Sequence, residues 1–128
     1  MVGLVIVSHS MKLAEGVREL AGMMAGTVPV GIAGGLEDGC LGTSYDKIWQ
    51  AIDAVHGPDG TVILADIGSA VLTVEAVLEE HPDEKLILAD CPLAEGAVLA
   101  AVAAAGGADA EEVARRAEEA RAMKKISE

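Results

Sequence analysis

Short apolar runs alternate with amphipathic stretches along the whole chain. The runs at residues 3–7, 28–33, 61–65 and 85–89 are apolar almost throughout rather than at every second position. That is the pattern of parallel strands covered on both faces. Between and after them, positions recurring every three or four residues predict helices at about 11–24, 44–55, 69–80, 93–105 and 110–122. Thr43 or Ser44 is placed to cap the second helix, and Gly57-Pro58 stops it. Asp109, with Glu112 three residues on, resembles a capping box with Asp in the Ser/Thr place, and it opens the last helix after Gly106-Gly107. The βα alternation predicts an α/β fold, a three-layer sandwich with a mainly parallel four-stranded central sheet and right-handed crossovers. Residues 1–128 read as a single domain, with only the tail from Lys124 to Glu128 looking frayed.

One segment breaks the rhythm. Residues 33–43, AGGLEDGCLGT, form a long glycine-rich loop after the second strand. A connection of this length in so compact a chain is more often functional than a plain linker.

The strand ends hold the candidate chemistry. His9 follows the first apolar run, is bracketed by Ser8 and Ser10, and stands just before a helix. Open α/β sheets bind ligands at this carboxyl edge. The third run is followed by Asp66-Ile67-Gly68-Ser69-Ala70, and the fourth by Asp90-Cys91-Pro92. In the strand order 2-1-3-4 the first and third strands are neighbours, about 4.8 Å apart. Asp66 then comes within hydrogen-bond reach of His9. A carboxylate that accepts one ring N–H fixes the imidazole tautomer and leaves the other nitrogen free to attack phosphorus. Ser10, Thr43, Gly68 and Ser69 are the candidate phosphoryl-binding residues, with the start of the helix after Asp66 offering unpaired N–H groups.

Plainer roles compete at each position. Asp66 could cap the following helix, Ser8 could be a locally bonded turn residue, and His9 could be a structural histidine at a strand end. His56, beside Gly57-Pro58, suits a helix carboxyl end, and His81, before Pro82, reads as part of an exposed turn.

Composition narrows the function classes. Hydrophobic residues make up 52% of the chain and aromatics only 2%, so the core must be built from small aliphatic side chains, with helices close to the sheet. The formal net charge of −12 opposes nucleic-acid binding and favours encounter with a basic protein. No apolar run spans a bilayer and no basic signal region opens the chain, so no membrane association and a cytoplasmic location are expected. Cys40 and Cys91 lack C-x-x-C spacing, and no metal site is expected. Cys91 reads as a small packed residue. Walker, G-x-S-x-G and dinucleotide signatures are missing.

The four blocks LVIVSHS, AGGLEDGCLGTS, LADIGSA and CPLAEGAVLAAVAAAGG together resemble the mannose-type IIA family of the sugar phosphotransferase system. They are most similar to its DhaM-type branch, the phosphotransfer subunits of phosphoenolpyruvate-dependent dihydroxyacetone kinase. The resemblance implies a flavodoxin-like sheet, a homodimer, and phosphorylation of His9 with Asp66 as the strand-end acid. It also implies that the histidine carrier protein HPr donates the phosphoryl group. The acceptor is ADP on a nucleotide-binding, DhaL-type subunit, and a DhaK-type subunit holds the dihydroxyacetone. No cofactor is then expected on this chain, since ADP/ATP belongs to the partner. Sugar-transporting members tend to carry Gly-Gly-Ser in the third block, where this chain has Asp66-Ile67-Gly68-Ser69. Some members are fused to carrier and enzyme I-like domains; a chain ending after one domain implies a separate donor. The alternatives are a IIA component of a mannose-type sugar permease and a regulatory module whose partners sense phosphorylation of His9.

Overall fold

The computed structural model describes residues 1–127. Four parallel strands, β1 (Gly3–Ser8), β2 (Val30–Gly34), β3 (Thr61–Ala65) and β4 (Leu86–Leu88), form one sheet in the order β2-β1-β3-β4. Helices α1 (Met11–Met24), α2 (Tyr45–Val55), α3 (Ser69–Glu80), α4 (Leu93–Ala105) and α5 (Ala110–Glu118) cover its two faces. This is the three-layer architecture expected from the alternation.

The central strands explain the continuous apolar runs. On β1 and β3 every residue is buried, and successive side chains point to opposite faces. Leu4, Ile6, Val62 and Leu64 pack beneath α1, α4 and α5. Val5, Val7, Ile63 and Ala65 pack beneath α2 and α3. Burying one such aliphatic side chain stabilises the fold by about 1.5–3 kcal/mol, so these two strands hold the molecule together. The aromatic-poor composition is met as expected: Ala97, Ala100, Ala101 and Ala104 bring α4 close to the sheet. Its outward face, including Val102, stays exposed.

Element ends differ from the sequence pattern where strands reach the sheet edge. The second strand begins at Val30 rather than residue 28, because Pro29 contributes only its carbonyl, which accepts from Leu4 N. It runs on to Gly34, paired in register with Ser8. β4 shrinks to three residues, although Lys85 O and Ala89 N still bond to β3. The last helix tightens into a 3-10 turn at Glu119–Ala122 instead of staying α-helical to residue 122. Of the two candidate caps for α2, Ser44 takes the role by accepting from Lys47 N. The box at Asp109 is half built: its carboxylate accepts from Glu112 N, while Glu112 turns to Arg115.

Candidate functional site

Register places the two key residues side by side. Val7 on β1 pairs with Ala65 on β3, so His9 and Asp66 emerge next to each other at the carboxyl edge of the sheet. Asp66 accepts four hydrogen bonds. Its Oδ1 takes His9 Nδ1 at 3.0 Å and Ile67 N at 2.7 Å; its Oδ2 takes Ser8 Oγ at 2.9 Å and His9 N at 3.0 Å. Burial pushes the carboxyl upward, but the bonds from the His9 and Ile67 amides, the His9 ring and Ser8 outweigh it and hold Asp66 below the ordinary carboxylate range. An ionised Asp66 makes Nδ1 the protonated ring nitrogen. The alternative of Asp66 as helix cap is set aside, because the cap position of α3 is Gly68.

The other ring nitrogen faces outward. Nε2 lies 2.7 Å from Ser69 Oγ, and with its proton on Nδ1 the ring accepts from the hydroxyl there. Ser69 is the first residue of α3. Gly68, exposed at φ +37° and ψ −102°, turns the chain from Asp66 into that helix, a conformation open to glycine. No side chain caps α3, so its opening amides stay available to an anion. The His9 side chain is 26% exposed and Asp66 12%, so the nucleophile is reachable and its orienting acid shielded.

The remaining expected residues act at different distances. Ser10 caps α1 by accepting from Leu13 N at 3.2 Å. Thr43 does not reach the ring; its hydroxyl meets Thr73 Oγ1 at 3.2 Å, and Thr73 donates to Ser69 O at 2.8 Å. The glycine-rich loop grips the backbone beside the imidazole: Gly35 N donates to Ser8 O and Gly42 N to His9 O. A Cβ on Gly34 would come 2.5 Å from Met11 Cα, so β2 and the start of α1 fit only without a side chain there.

Sequence reasoning missed Ser8 as a site residue. It is 1% exposed, donates to Asp66 Oδ2 and accepts from Ser10 N at 3.0 Å. The available signal was a hydroxyl ending an otherwise apolar buried strand, which has to find a partner. Lys47 was also missed; its Nζ donates to Gly34 O at 2.7 Å, tying α2 to the end of β2.

The other histidines lie outside the site. His56 ends α2 and bonds Thr61 Oγ1 and Glu84. The exposed-turn reading of His81 needs correction. Its ring stacks on Trp49 with centroids 3.8 Å apart and the planes nearly parallel, because α2 and α3 are neighbours on the same sheet face. Burial pushes the Cys91 thiol up to about 11, so it is a packed side chain rather than a nucleophile.

A family model described as PTS system fructose IIA component, EIIA-man, matches residues 3–114. The chain belongs to the EIIA-man family. Among relatives of this EIIA-man chain, the phosphoryl donor subunit DhaM of the PEP-dependent dihydroxyacetone kinase of Escherichia coli (strain K12) is 42% identical over 120 residues, covering 88% of this chain and 25% of that protein. The phosphotransferase subunit DhaM of the PTS-dependent dihydroxyacetone kinase of Lactococcus lactis subsp. lactis (strain IL1403) is 35% identical over 116 residues, covering 91% and 93%. The chain spans about a quarter of the length of the first curated relatives it matches. A solved structure, the unknown function protein EF1359, superposes with a TM-score of 0.79 at 29% identity over 92% of this chain and 93% of that one. Among the described residues, no helix is long and apolar enough to cross a membrane.

Proposed function

We propose that this EIIA-man chain is a phosphocarrier of a dihydroxyacetone kinase system, with His9 as the transient phosphoryl acceptor. The observation that carries the reading is the line from Asp66 through the His9 ring to Ser69, with bonds of 3.0 and 2.7 Å. Asp66 holds the proton on Nδ1, which leaves the Nε2 lone pair for phosphorus. As the new N–P bond forms and the donor's bond to phosphorus breaks, positive charge grows on the ring and Asp66 stabilises it. Ser69 then swings from the nitrogen to a phosphoryl oxygen, assisted by the opening amides of α3. In the second step the phosphoryl group leaves Nε2 for a terminal oxygen of ADP, and the ring returns to its neutral state.

The names of the relatives support this destination, since they are phosphoryl donor or phosphotransferase subunits of dihydroxyacetone kinases. On this reading HPr is the donor, a DhaL-type subunit presents ADP, and a DhaK-type subunit holds the substrate. The chain works in the cytoplasm as a homodimer, and needs no cofactor of its own. Asp66, Ser69, Gly68 and Ser10 form the phosphoryl pocket, and Thr43 supports it through Thr73.

Incubation with phosphoenolpyruvate, enzyme I and HPr should place one acid-labile phosphate on the chain, absent in His9→Ala. Adding the DhaL-type subunit with ADP should discharge it with formation of ATP. Label that persists in His9→Ala would sink the reading. The family description as a fructose IIA component favours a second destination, a sugar permease, and discharge to a permease IIB domain but not to ADP would select it.

A further inference from the structure

Three large apolar side chains stand in solvent around His9. Leu41 is 75% exposed, Ile67 68% and Leu72 68%. Leu41 precedes Gly42, whose amide bonds His9 O; Ile67 follows Asp66; Leu72 lies one turn along α3 from Ser69. The Thr43–Thr73 bond stitches the loop to the helix, so the three belong to one continuous rim. Such side chains fold nothing here, and an exposed apolar cluster beside a reactive group marks a surface that another molecule covers.

Charge decides what kind of molecule fits. Glu37, Asp38, Asp46 and Glu75 surround the same edge and make no ion pair among the described residues, while the Lys47 amine is engaged by Gly34 O. A phosphoryl group on His9 would add about −1.5 to −2 more charge. A second copy of this chain would bring the same acids and be repelled, and a free polyanion would be repelled likewise.

We propose that Leu41, Ile67 and Leu72 are the anchors of a docking surface for a phosphoryl-exchanging protein whose own face is apolar at the centre and ringed by Lys and Arg. The proposal rests on His9 as the phosphoryl carrier and adds which surface selects the partner. Apolar anchors at the centre supply affinity and the acidic rim supplies orientation and encounter rate. Phosphate exchange then depends on two separable properties, chemistry at Nε2 and docking at the rim.

The test measures initial rates of His9 labelling against concentration of phosphorylated HPr, using the full chain and the variants Leu41→Ser and Leu72→Ser. Met23→Ser, 72% exposed on α1 away from the site, is the control. Phosphoramidate, a small donor that needs no docking, is run in parallel. The expected result is a KM raised about ten-fold or more in Leu41→Ser and Leu72→Ser with kcat kept, a wild-type KM that climbs with added NaCl, and unchanged labelling by phosphoramidate. A KM within two-fold of the Met23→Ser control, or one indifferent to salt, overturns the docking surface while phosphoramidate labelling leaves His9 chemistry standing. Dissociation of a homodimer by Leu72→Ser, seen by sedimentation, would reassign the rim to self-association and also overturn it. Failure of both donors to label His9 removes the phosphocarrier reading itself, and the docking surface with it.

Discussion

Asp66 supplies both a position and a charge to His9, and Asp66→Asn separates them. The amide keeps the shape but presents an N–H as readily as a carbonyl, so the Nδ1 proton loses its fixed acceptor. Labelling of His9 should fall by about 10²- to 10⁴-fold with far-ultraviolet circular dichroism unchanged, measured as single-turnover phosphorylation by HPr. The same carboxylate contributes to acid stability. Its folded-state pKa is depressed, so its stabilisation is complete above the ordinary carboxylate value of about 3.9 and is lost as pH falls through the lower folded value. Urea midpoints taken from neutral pH down to the acid range should therefore decline less steeply in Asp66→Asn than in wild type; parallel curves would show that Asp66 is not a source of the acid limb. Ser69 belongs to the opposite side of the ring. Because its hydroxyl lies 2.7 Å from Nε2, Ser69→Ala should change the lifetime of the phosphohistidine, and an unaltered lifetime would remove Ser69 from the pocket.

Elements place these residues through a few exact fits of backbone rather than through side-chain chemistry. The parallel register of β1 and β3 sets the His9–Asp66 spacing, and both strands were legible as uninterrupted apolar runs. The pairing of those two runs followed from the strand order, so Asp66 beside His9 was also legible. What the pattern lacked was the depth of each hydroxyl. Nothing in a linear string separates Ser8, buried and bonded to Asp66, from Ser10, which caps α1. Thr43 illustrates the same limit: the loop was correctly singled out, yet its threonine reaches the site only by way of Thr73, thirty positions away. The stacking of His81 on Trp49 likewise depends on the packing of α2 beside α3, a contact without local sequence signal. Gly68 is the element-scale pivot. An alanine at φ +37° adopts a backbone that costs about 1–2 kcal/mol, although nothing lies within 4 Å of its Cβ. Gly68→Ala should thus lower the urea midpoint modestly and slow His9 labelling, as the start of α3 and Ser69 shift; full activity would show that the turn tolerates relaxation.

At the scale of the molecule, two apolar layers share one thin sheet. Leu64 and Val62 face the layer under α1, α4 and α5, whereas Ile63 and Ala65 face the layer under α2 and α3. Because adjacent residues of one strand belong to opposite layers, neither layer can loosen while the other keeps β3 in place. Cooperative unfolding follows from that geometry. Trp49, the sole tryptophan, packs against the α2–α3 layer and reports on it by fluorescence. Leu64→Ala opens a cavity in the other layer, at a fully buried position, with an expected loss of about 2–5 kcal/mol. The Trp49 fluorescence midpoint in urea should shift by the same amount as the circular-dichroism midpoint, with an unchanged slope. A Trp49 transition that stays at its wild-type midpoint while helicity falls early would mean the layers unfold separately. The outcome bears on the site, since His9 and Asp66 are carried by β1 and β3, the two strands that both layers hold.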